Sequence, residues 1–354
     1  MTQTLTSGRA RAAALIAALA GGAALAGCGG SSDLSTSSNA AHRSAGGGGG
    51  PQLALVAYST PRNAYDALTA AFAATPAGKG VSFSESFGAS GSQSRAVDTG
   101  QPADVVAFST TPDMTRLVKS GIVANSWDAN PEKGFSSDSV VVLVVRKGNP
   151  RHITGWDDLI EPGVDVITPN PSTSGSARWN ILAAYGAQLQ RGKTPGQALA
   201  YMRTLLTKNV SVQDSSANAA LETFVGGKGD VLLDYESDAI AAERAGDAIQ
   251  YIVPQQTILI QTPIAITTRS AHAAQAFVNW QWSPAGQTIW GQHGYRPVLA
   301  SVAGKFASDF PKPAQLFTIS YLGGWTKVDK VFFAASSGSI TKIEQAAGVP
   351  TASS

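Results

Sequence analysis

Cysteine, charge and long apolar runs are all scarce in this chain of 354 residues. The single cysteine, Cys28, has no second cysteine with which to form an internal disulfide. Charged residues make up 14% of the chain and the net charge is +2, with no run of Lys or Arg. Nucleic acids and anionic membrane surfaces select clustered cations, so the composition argues against both as partners.

Histidine is also rare, and the sequence lacks the common catalytic motifs. The four histidines are scattered, and no pair has the spacing of metal ligands. G-x-S-x-G and H-E-x-x-H are absent, and SITK (339–342) matches S-x-x-K without the motifs that accompany it. Serine is hard to activate without a base, so a serine hydrolase is the less favoured alternative. We therefore expect that the protein is not an enzyme and that it binds neither a metal nor a cofactor.

The first 27 residues predict a signal for export. Their apolar stretch is too short and too rich in glycine for a good membrane span. It ends in LAGC (25–28), which resembles a bacterial lipobox, so we expect a lipoprotein signal peptide over 1–27 and a lipid on Cys28. Residues 28–50 are rich in Ser and Gly and predict a flexible tether. The body is then expected outside the cell membrane, anchored only by lipid.

Short apolar runs alternate with helical patterns from residue 53 onward, which predicts an α/β sheet with helices on both faces. In the first unit, strand 53–58 precedes a helix with Thr60 as N-cap and Pro61 as first helical residue. Further strand–helix units are predicted at 81–100, 104–121, 165–191, 210–226 and 230–246.

Two long β-rich runs, 139–148 and 258–269, stand apart from these units. We interpret them as the two crossings of a bilobal protein, because a chain that leaves a lobe and returns to it makes a two-strand hinge. The predicted lobe I holds 51–140 and 266–354, and the predicted lobe II holds 141–265.

Four loops that open predicted helices are rich in small and hydroxylated residues. In doubly wound sheets, loops at the carboxyl ends of strands bind ligands. Helix N-termini there expose unpaired N–H groups with partial positive charge, so they hold anions. Ser, Thr and Gly are also ordinary cap and turn residues, and for any single loop that explanation is favoured. The four loops are YSTPR (58–62), GASGSQ (88–93), STSGSAR (172–178) and DSSANAA (214–220).

The loops offer many hydrogen-bond donors and almost no acceptors. This imbalance distinguishes between the oxyanions that the loops could bind. Sulfate is fully ionised near pH 7 and needs only donors, whereas phosphate keeps a proton and requires an acceptor. Asp214 is the one carboxylate beside a candidate loop, and capping the helix that begins near Ser216 is its favoured role. The loops therefore favour sulfate.

Taken in order, these motifs resemble the extracytoplasmic sulfate/thiosulfate-binding proteins, which deliver their anion to an ABC importer. The resemblance covers nearly all of the chain after residue 51. It implies a type II-like periplasmic-binding-protein fold and a monomer that carries sulfate or thiosulfate to a membrane permease. The motifs are YSTPR, GASGSQSRAV, PADVVAFST, GWDDLIEPGVDVITPNPSTSGSARWNILAAYG, VQDSSANAALETFVGGKGDVLLDYESDAI, SPAGQTIWGQHGYRP and LGGWTKVDKVFF.

The resemblance also implies the ligand contacts, position by position. The family holds sulfate by main-chain N–H groups, one serine hydroxyl and one indole N–H. Ser59 stands where the family usually has Asp, Ser176 replaces its second glycine, and Tyr235 occupies the place of the indole donor. A phenol donates one hydrogen bond but also accepts. The implied ligand-binding residues are Ser59, Ser90, Ser174, Gly175, Ser176, Ala217 and Tyr235.

Two further residues are expected behind these contacts, and one tryptophan is expected to support them. Arg62 matches an arginine of the family's first loop, and Asn218 replaces an arginine of the family, so one charge is lost. Trp179 is expected to pack the helix of the third loop on the sheet. Because of these departures, another oxyanion (phosphate or molybdate) is the alternative ligand.

Overall fold

The computed structural model describes residues 50–270 and 272–351. The predicted signal peptide (1–27), Cys28 and all of the predicted tether except Gly50 lie outside the described residues. Within the described ranges, no helix combines the length and the apolar character needed to cross a membrane.

Most of the predicted strand–helix units contain a strand in the structure. The strands are β1 (Gln52–Tyr58), β2 (Ser82–Gly88), β3 (Val105–Ala107), β4 (Phe135–Arg146), β5 (Val166–Pro169), β6 (Val210–Asp214), β7 (Val231–Tyr235), β8 (Ile249–Ile252), β9 (Gln256–Ile266) and β10 (Gln315–Phe317).

The helices follow the strands as predicted, with additional helices near the C-terminus. They are α1 (Arg62–Ala73), α2 (Ser90–Asp98), α3 (Thr111–Lys119), α4 (Gly175–Gln190), α5 (Pro195–Thr204), α6 (Ala217–Val225), α7 (Glu236–Ala245), α8 (His272–Gln281), α9 (Pro284–Gln292), α10 (Ala300–Ala303), α11 (Gly324–Val328) and α12 (Ser339–Ala346).

The strands order as β2-β1-β3-β9-β4-β7-β5-β6, with β10 beside β9 and β8 beside β4. β1 is parallel to β2 and β3, and β5 is parallel to β6 and β7. Within each parallel group the carboxyl ends of the strands lie along one edge. This arrangement brings the loops that follow those strands to one place.

The two long strands, β4 and β9, connect the two halves of the sheet. Ser137–Val140 of β4 pair with β9, whereas Val141–Arg146 pair with β7 and β8. The last residues of β9, Ile264–Ile266, pair with β3. Each strand thus belongs to both halves, as predicted for the two crossings, although both begin and end a few residues earlier than predicted.

The C-terminal segment packs differently from the predicted lobe bounds, which place 266–354 in lobe I. Helices α8 and α9 do join the core of the first half through Phe277 and Trp290. β10 instead pairs with the start of β9, and Phe332 packs edge-on against Tyr185 of α4 with ring centroids 4.8 Å apart. We therefore propose that residues 315–346 belong to lobe II, because their apolar side chains complete its core.

Candidate functional site

A small cavity lies where the four predicted loops meet, at the carboxyl ends of the strands. The space within it that is available to the centre of a water molecule is about 10 Å³, and each of the four loops contributes to its wall. Of the described residues that line it, none carries a charge. The lining residues are Tyr58, Ser59, Thr60, Gly88, Ala89, Ser90, Ser109, Ser174, Gly175, Ser176, Ser216 and Ala217.

Three helices begin at the wall of this cavity. α2 begins at Ser90, α4 at Gly175 and α6 at Ala217. The first N–H groups of a helix have no partner inside the helix, and the helix dipole adds partial positive charge there. These helix ends can therefore supply several donors to an anion without any positively charged side chain.

The third loop supplies hydroxyls as well as a helix start. The backbone N–H of Ser174 donates to the carbonyl of Asn170 at 2.9 Å, so that N–H is not available to a ligand. The hydroxyls of Ser174 and Ser176 lie 2.7 Å apart, and either can donate. When one donates to the other, the acceptor keeps its own hydrogen for a ligand.

Gly175 lies at a close approach between the predicted lobes. A Cβ at this position would lie 2.7 Å from Ser109 Oγ and 2.9 Å from Thr110 Cγ2. Ser109 and Thr110 follow β3 in lobe I, whereas Gly175 begins α4 in lobe II. The missing side chain is therefore what allows the two loops to meet around the cavity.

The hydroxyl of Ser90 is committed to other protein groups. It donates to Asp113 Oδ2 at 2.7 Å and accepts from the backbone N–H of Ser109 at 2.9 Å. The hydrogen of this hydroxyl consequently points away from the cavity in this structure. The contact that Ser90 offers a ligand here is its backbone N–H, at the first position of α2.

The first and fourth loops are joined by a side-chain contact. Ser59 Oγ donates to Asn218 Oδ1 at 3.2 Å, and Asn218 is not among the residues that line the cavity. Arg62 lies outside the lining residues, and its guanidinium stacks on the ring of Phe87 at 4.3 Å. A cation–π contact of this kind stabilises the first loop but does not reach the cavity.

Tyr235 does not line the cavity, but it lies one hydrogen bond behind it. Its fully buried phenol oxygen is 2.7 Å from Ser109 Oγ. Burial raises the pKa of Tyr235 well above its usual value, so the phenol keeps its proton and can donate. Any effect of Tyr235 on a ligand in this closed arrangement therefore passes through Ser109.

Ser109 was missed by the sequence analysis, although a signal for it exists. It follows β3 and precedes α3, the same strand–loop–helix position as the four predicted loops. Trp179 Nε1 donates to the carbonyl of Ser109 at 2.7 Å, and the Trp179 ring packs edge-on against Trp325 at 4.7 Å. Trp179 therefore packs α4 as expected and also holds Ser109 in place.

Thr60 has a different role from the predicted helix cap. α1 begins at Arg62, one residue later than predicted, and has no side-chain cap. The hydroxyl of Thr60 instead donates to Asp238 Oδ2 of lobe II at 3.2 Å. Burial raises the pKa of Asp238 to about 7 and that of the neighbouring Asp234 well above its usual value. These two carboxyls lie behind the wall, because neither of them lines the cavity.

Asp214 is neither a lining residue nor the cap of α6. Ser216 caps that helix, since its Oγ accepts from the backbone N–H of Ala219 at 3.2 Å. Asp214 contributes its backbone carbonyl, which accepts from the N–H of Asn170 at 2.7 Å. Within the part of the chain that the structure describes, no cluster of His, Cys, Asp or Glu has the arrangement of a metal site.

Comparison with known proteins places the chain in a family. Residues 53–296 match the family model described as bacterial extracellular solute-binding protein. The chain is 39% identical over 306 residues to the sulfate-binding protein of Synechococcus elongatus, covering 83% of this chain and 87% of that protein. It is 33% identical to the thiosulfate-binding protein of Pseudomonas aeruginosa, covering 72% of this chain and 80% of that protein.

A solved structure gives the same result. The sulfate-binding protein SubI from Mycobacterium tuberculosis is 47% identical, with a TM-score of 0.78, over 79% of this chain and 99% of that one. The bilobal periplasmic-binding-protein fold expected from the sequence is thus confirmed. The chain belongs to the bacterial extracellular solute-binding proteins and, among them, to the sulfate- and thiosulfate-binding protein family.

Proposed function

We propose that this protein captures sulfate, or thiosulfate, in the cavity between its lobes and delivers it to an ABC permease. The observation that carries the proposal is the composition of the cavity wall. The wall combines helix N-termini and hydroxyls from both lobes, and none of its described residues is charged. A dianion without a proton requires donors only, and this wall supplies donors.

The number of donors is sufficient for tight binding. A hydrogen bond to a charged group contributes about 1.5–3 kcal/mol, so about seven such bonds give micromolar affinity or better after the cost of association. The donors we propose are backbone N–H groups at Ser59, Ser90, Gly175, Ser176 and Ala217, with a hydroxyl of the Ser174–Ser176 pair. Ser109 would add its hydroxyl, oriented by Tyr235.

Contacts across the cleft support a mechanism of capture by closure. The N–H of Gly91 in lobe I donates to the carbonyl of Thr173 in lobe II at 3.1 Å. The hydroxyls of Ser59 and Thr60 in lobe I likewise donate to Asn218 and Asp238 in lobe II. An anion held by both lobes would favour this closed form, which the permease would then recognise.

The location outside the membrane would be set by the N-terminal segment. We propose that residues 1–27 direct export and that Cys28 carries the lipid anchor, on the strength of the LAGC sequence and the tether that follows it. Replacing Cys28 by Ala should release the protein from the membrane fraction. Retention of the Cys28→Ala variant in that fraction would contradict lipid anchoring.

Calorimetric titration with sulfate, thiosulfate, molybdate and phosphate, at fixed pH and salt, tests the proposed function. We expect micromolar or tighter sulfate binding and no phosphate binding in the cavity. Tighter thiosulfate binding would reassign the ligand within the family. Competition by phosphate or molybdate at the sulfate site, with higher affinity, would refute the donor-only explanation, and an absence of binding by all four would refute the proposed function.

A further inference from the structure

A second cavity, lined by three arginines, lies beside the contact between Gly91 and Thr173. A Cβ at Gly91 would lie 2.9 Å from the carbonyl oxygen of Thr173 and 3.3 Å from Nη1 of Arg95, so this guanidinium adjoins the contact between the lobes. The space within it that is available to the centre of a water molecule is about 170 Å³. Its lining residues are Arg95, Arg116, Pro171, Ser172, Arg178, Phe333, Ala335, Ile340, Thr341, Glu344 and Thr351.

The three arginines come from both lobes. Arg95 lies on α2 and Arg116 on α3, in lobe I, whereas Arg178 lies on the first turn of α4, in lobe II. The cavity therefore exists as a unit only when the two lobes are close together. Arg178 also stacks over Phe333 at 5.1 Å, which fixes its guanidinium against the C-terminal segment.

The charges around this cavity do not cancel. Arg116 pairs with Asp113 at 3.3 Å, and Arg178 pairs with Asp329 at 3.2 Å. Arg95 has no carboxylate within 4.0 Å among the described residues, and its recorded partner is the hydroxyl of Ser92 at 3.2 Å. The positive charge of Arg95 is therefore in excess, since no carboxylate in the described part of the chain pairs with it.

Two shifts in pKa agree with this surplus. Burial lowers the pKa of the Arg95 guanidinium, and the charges of Arg116 and Arg178 lower it further, although Asp113 opposes them. Glu344 is the one carboxyl among the described residues that line this cavity, and burial raises its pKa to about 7. Near neutral pH, Glu344 therefore cancels only part of the surplus charge of Arg95.

Unused donors remain on all three guanidinium groups. One terminal nitrogen of each contacts protein: Arg95 Nη2, Arg116 Nη1 and Arg178 Nη1. The second terminal nitrogen of each has no hydrogen-bond partner among residues 50–270 and 272–351. A guanidinium presents its N–H groups as a planar fork that matches the oxygen atoms of a tetrahedral oxyanion.

We propose that this arginine cavity is a second oxyanion site, filled only when the lobes are closed, and that its occupancy strengthens binding in the first cavity. An anion that contacts Arg95 and Arg178 together would bridge the lobes beside the Gly91–Thr173 contact. A ligand that binds the closed form better than the open form shifts the protein toward it. By linkage, it must raise the affinity for any other ligand that requires the closed form.

Inorganic phosphate is the probe, because the donor-only cavity is expected to reject it. Sulfate affinity is measured on the full-length chain by calorimetry, without phosphate and with saturating phosphate, at constant ionic strength and pH. We expect phosphate to tighten sulfate binding at least about fivefold, the lower end of measured allosteric couplings. The Arg95→Gln variant should lose this effect and retain sulfate binding in the absence of phosphate.

Arg203→Gln is the matched control, because it removes the same charge from an exposed position on α5 outside both cavities. Arg95→Lys, which keeps the charge but loses the fork, should retain part of the phosphate effect. No change in sulfate affinity with phosphate, competition between the two anions, or an equal effect in Arg95→Gln would each overturn the proposal.

The coupling rests on the proposed function, but occupancy of the site does not. If sulfate fails to bind at all, a direct titration with phosphate still distinguishes the two failures. Phosphate binding by the wild type that Arg95→Gln loses would support the arginine site and refute the sulfate proposal alone. An absence of phosphate binding would refute the arginine site.

Discussion

Replacing Gly175 by Ala tests whether ligand capture requires the lobes to approach as closely as they do here. The added methyl group would meet Ser109 Oγ at 2.7 Å, Ser109 Cβ at 2.9 Å and Thr110 Cγ2 at 2.9 Å. Contacts this short force the two loops apart, and overpacking costs about 1–3 kcal/mol. Because those atoms belong to the other lobe, the cost falls on closure. Sulfate binding should weaken about 5- to 150-fold.

The stability of the ligand-free protein should change little, because an open form can hold the methyl group without a clash. Calorimetry with sulfate and thermal unfolding without it measure the two effects separately. Gly196→Ala is the matched control, since no atom lies within 4 Å of its added Cβ on α5. Unchanged sulfate affinity in Gly175→Ala would refute the reasoning. A loss of ligand-free stability that accounts for the whole effect would also refute it.

Three further substitutions probe the wall and the layer behind it. Ser174→Ala should weaken sulfate binding roughly tenfold in calorimetry, because the Ser174–Ser176 pair loses a hydroxyl and with it a hydrogen bond to the anion that contributes about 1.5 kcal/mol. An unchanged Kd would contradict the proposed role of Ser174. Tyr235→Phe should weaken sulfate binding about 2- to 10-fold, because the Ser109 hydroxyl loses its hydrogen-bond partner. Tyr201→Phe is the control: it removes a buried hydroxyl from the core of lobe II and should leave sulfate binding unchanged. Burial raises the pKa of Asp238 to about 7, so the folded chain keeps this proton at pH values where the unfolded chain releases it, and the contribution of Asp238 to stability should fall by about 1.4 kcal/mol per pH unit between about 4 and 7. Thermal unfolding of Asp238→Asn should show a shallower fall with pH, and an identical profile would contradict the raised pKa.

The layout of the site could be predicted from the sequence because it depends on local patterns. Each candidate loop lies between an apolar run and a helical pattern, and chain direction alone carries such loops to the carboxyl edge of a parallel sheet. Serine and glycine at those points identify helix starts that can approach a ligand. These features need no knowledge of contacts between distant residues, and the four loops do meet at one cavity.

The remaining features depend on contacts that no local pattern specifies. Thr60 and Asp238 are separated by 178 positions, and Ser109 and Tyr235 by 126. Thr60 carries the local signature of a helix cap, but its bond to Asp238 in the other lobe replaces that role. Likewise, the hydroxyl of Ser90 is a candidate ligand donor until Asp113, which lies on a different helix, takes its hydrogen. Tertiary partners decided each of these cases.

The same contacts explain how closure can depend on the ligand. The bonds across the cleft that involve Gly91, Ser59 and Thr60 are about 3.1–3.2 Å long, and Ser109 makes two shorter ones, to Tyr235 and Trp179, at 2.7 Å. Each contributes only about 0.5–1.5 kcal/mol net, because water replaces it in the open form. An anion that receives charge-assisted bonds from both lobes adds more than any of them, so the bound ligand determines which form predominates. A fixed cation in the wall, facing a helix N-terminus across the cleft, would repel it and favour the open form still further in the absence of ligand.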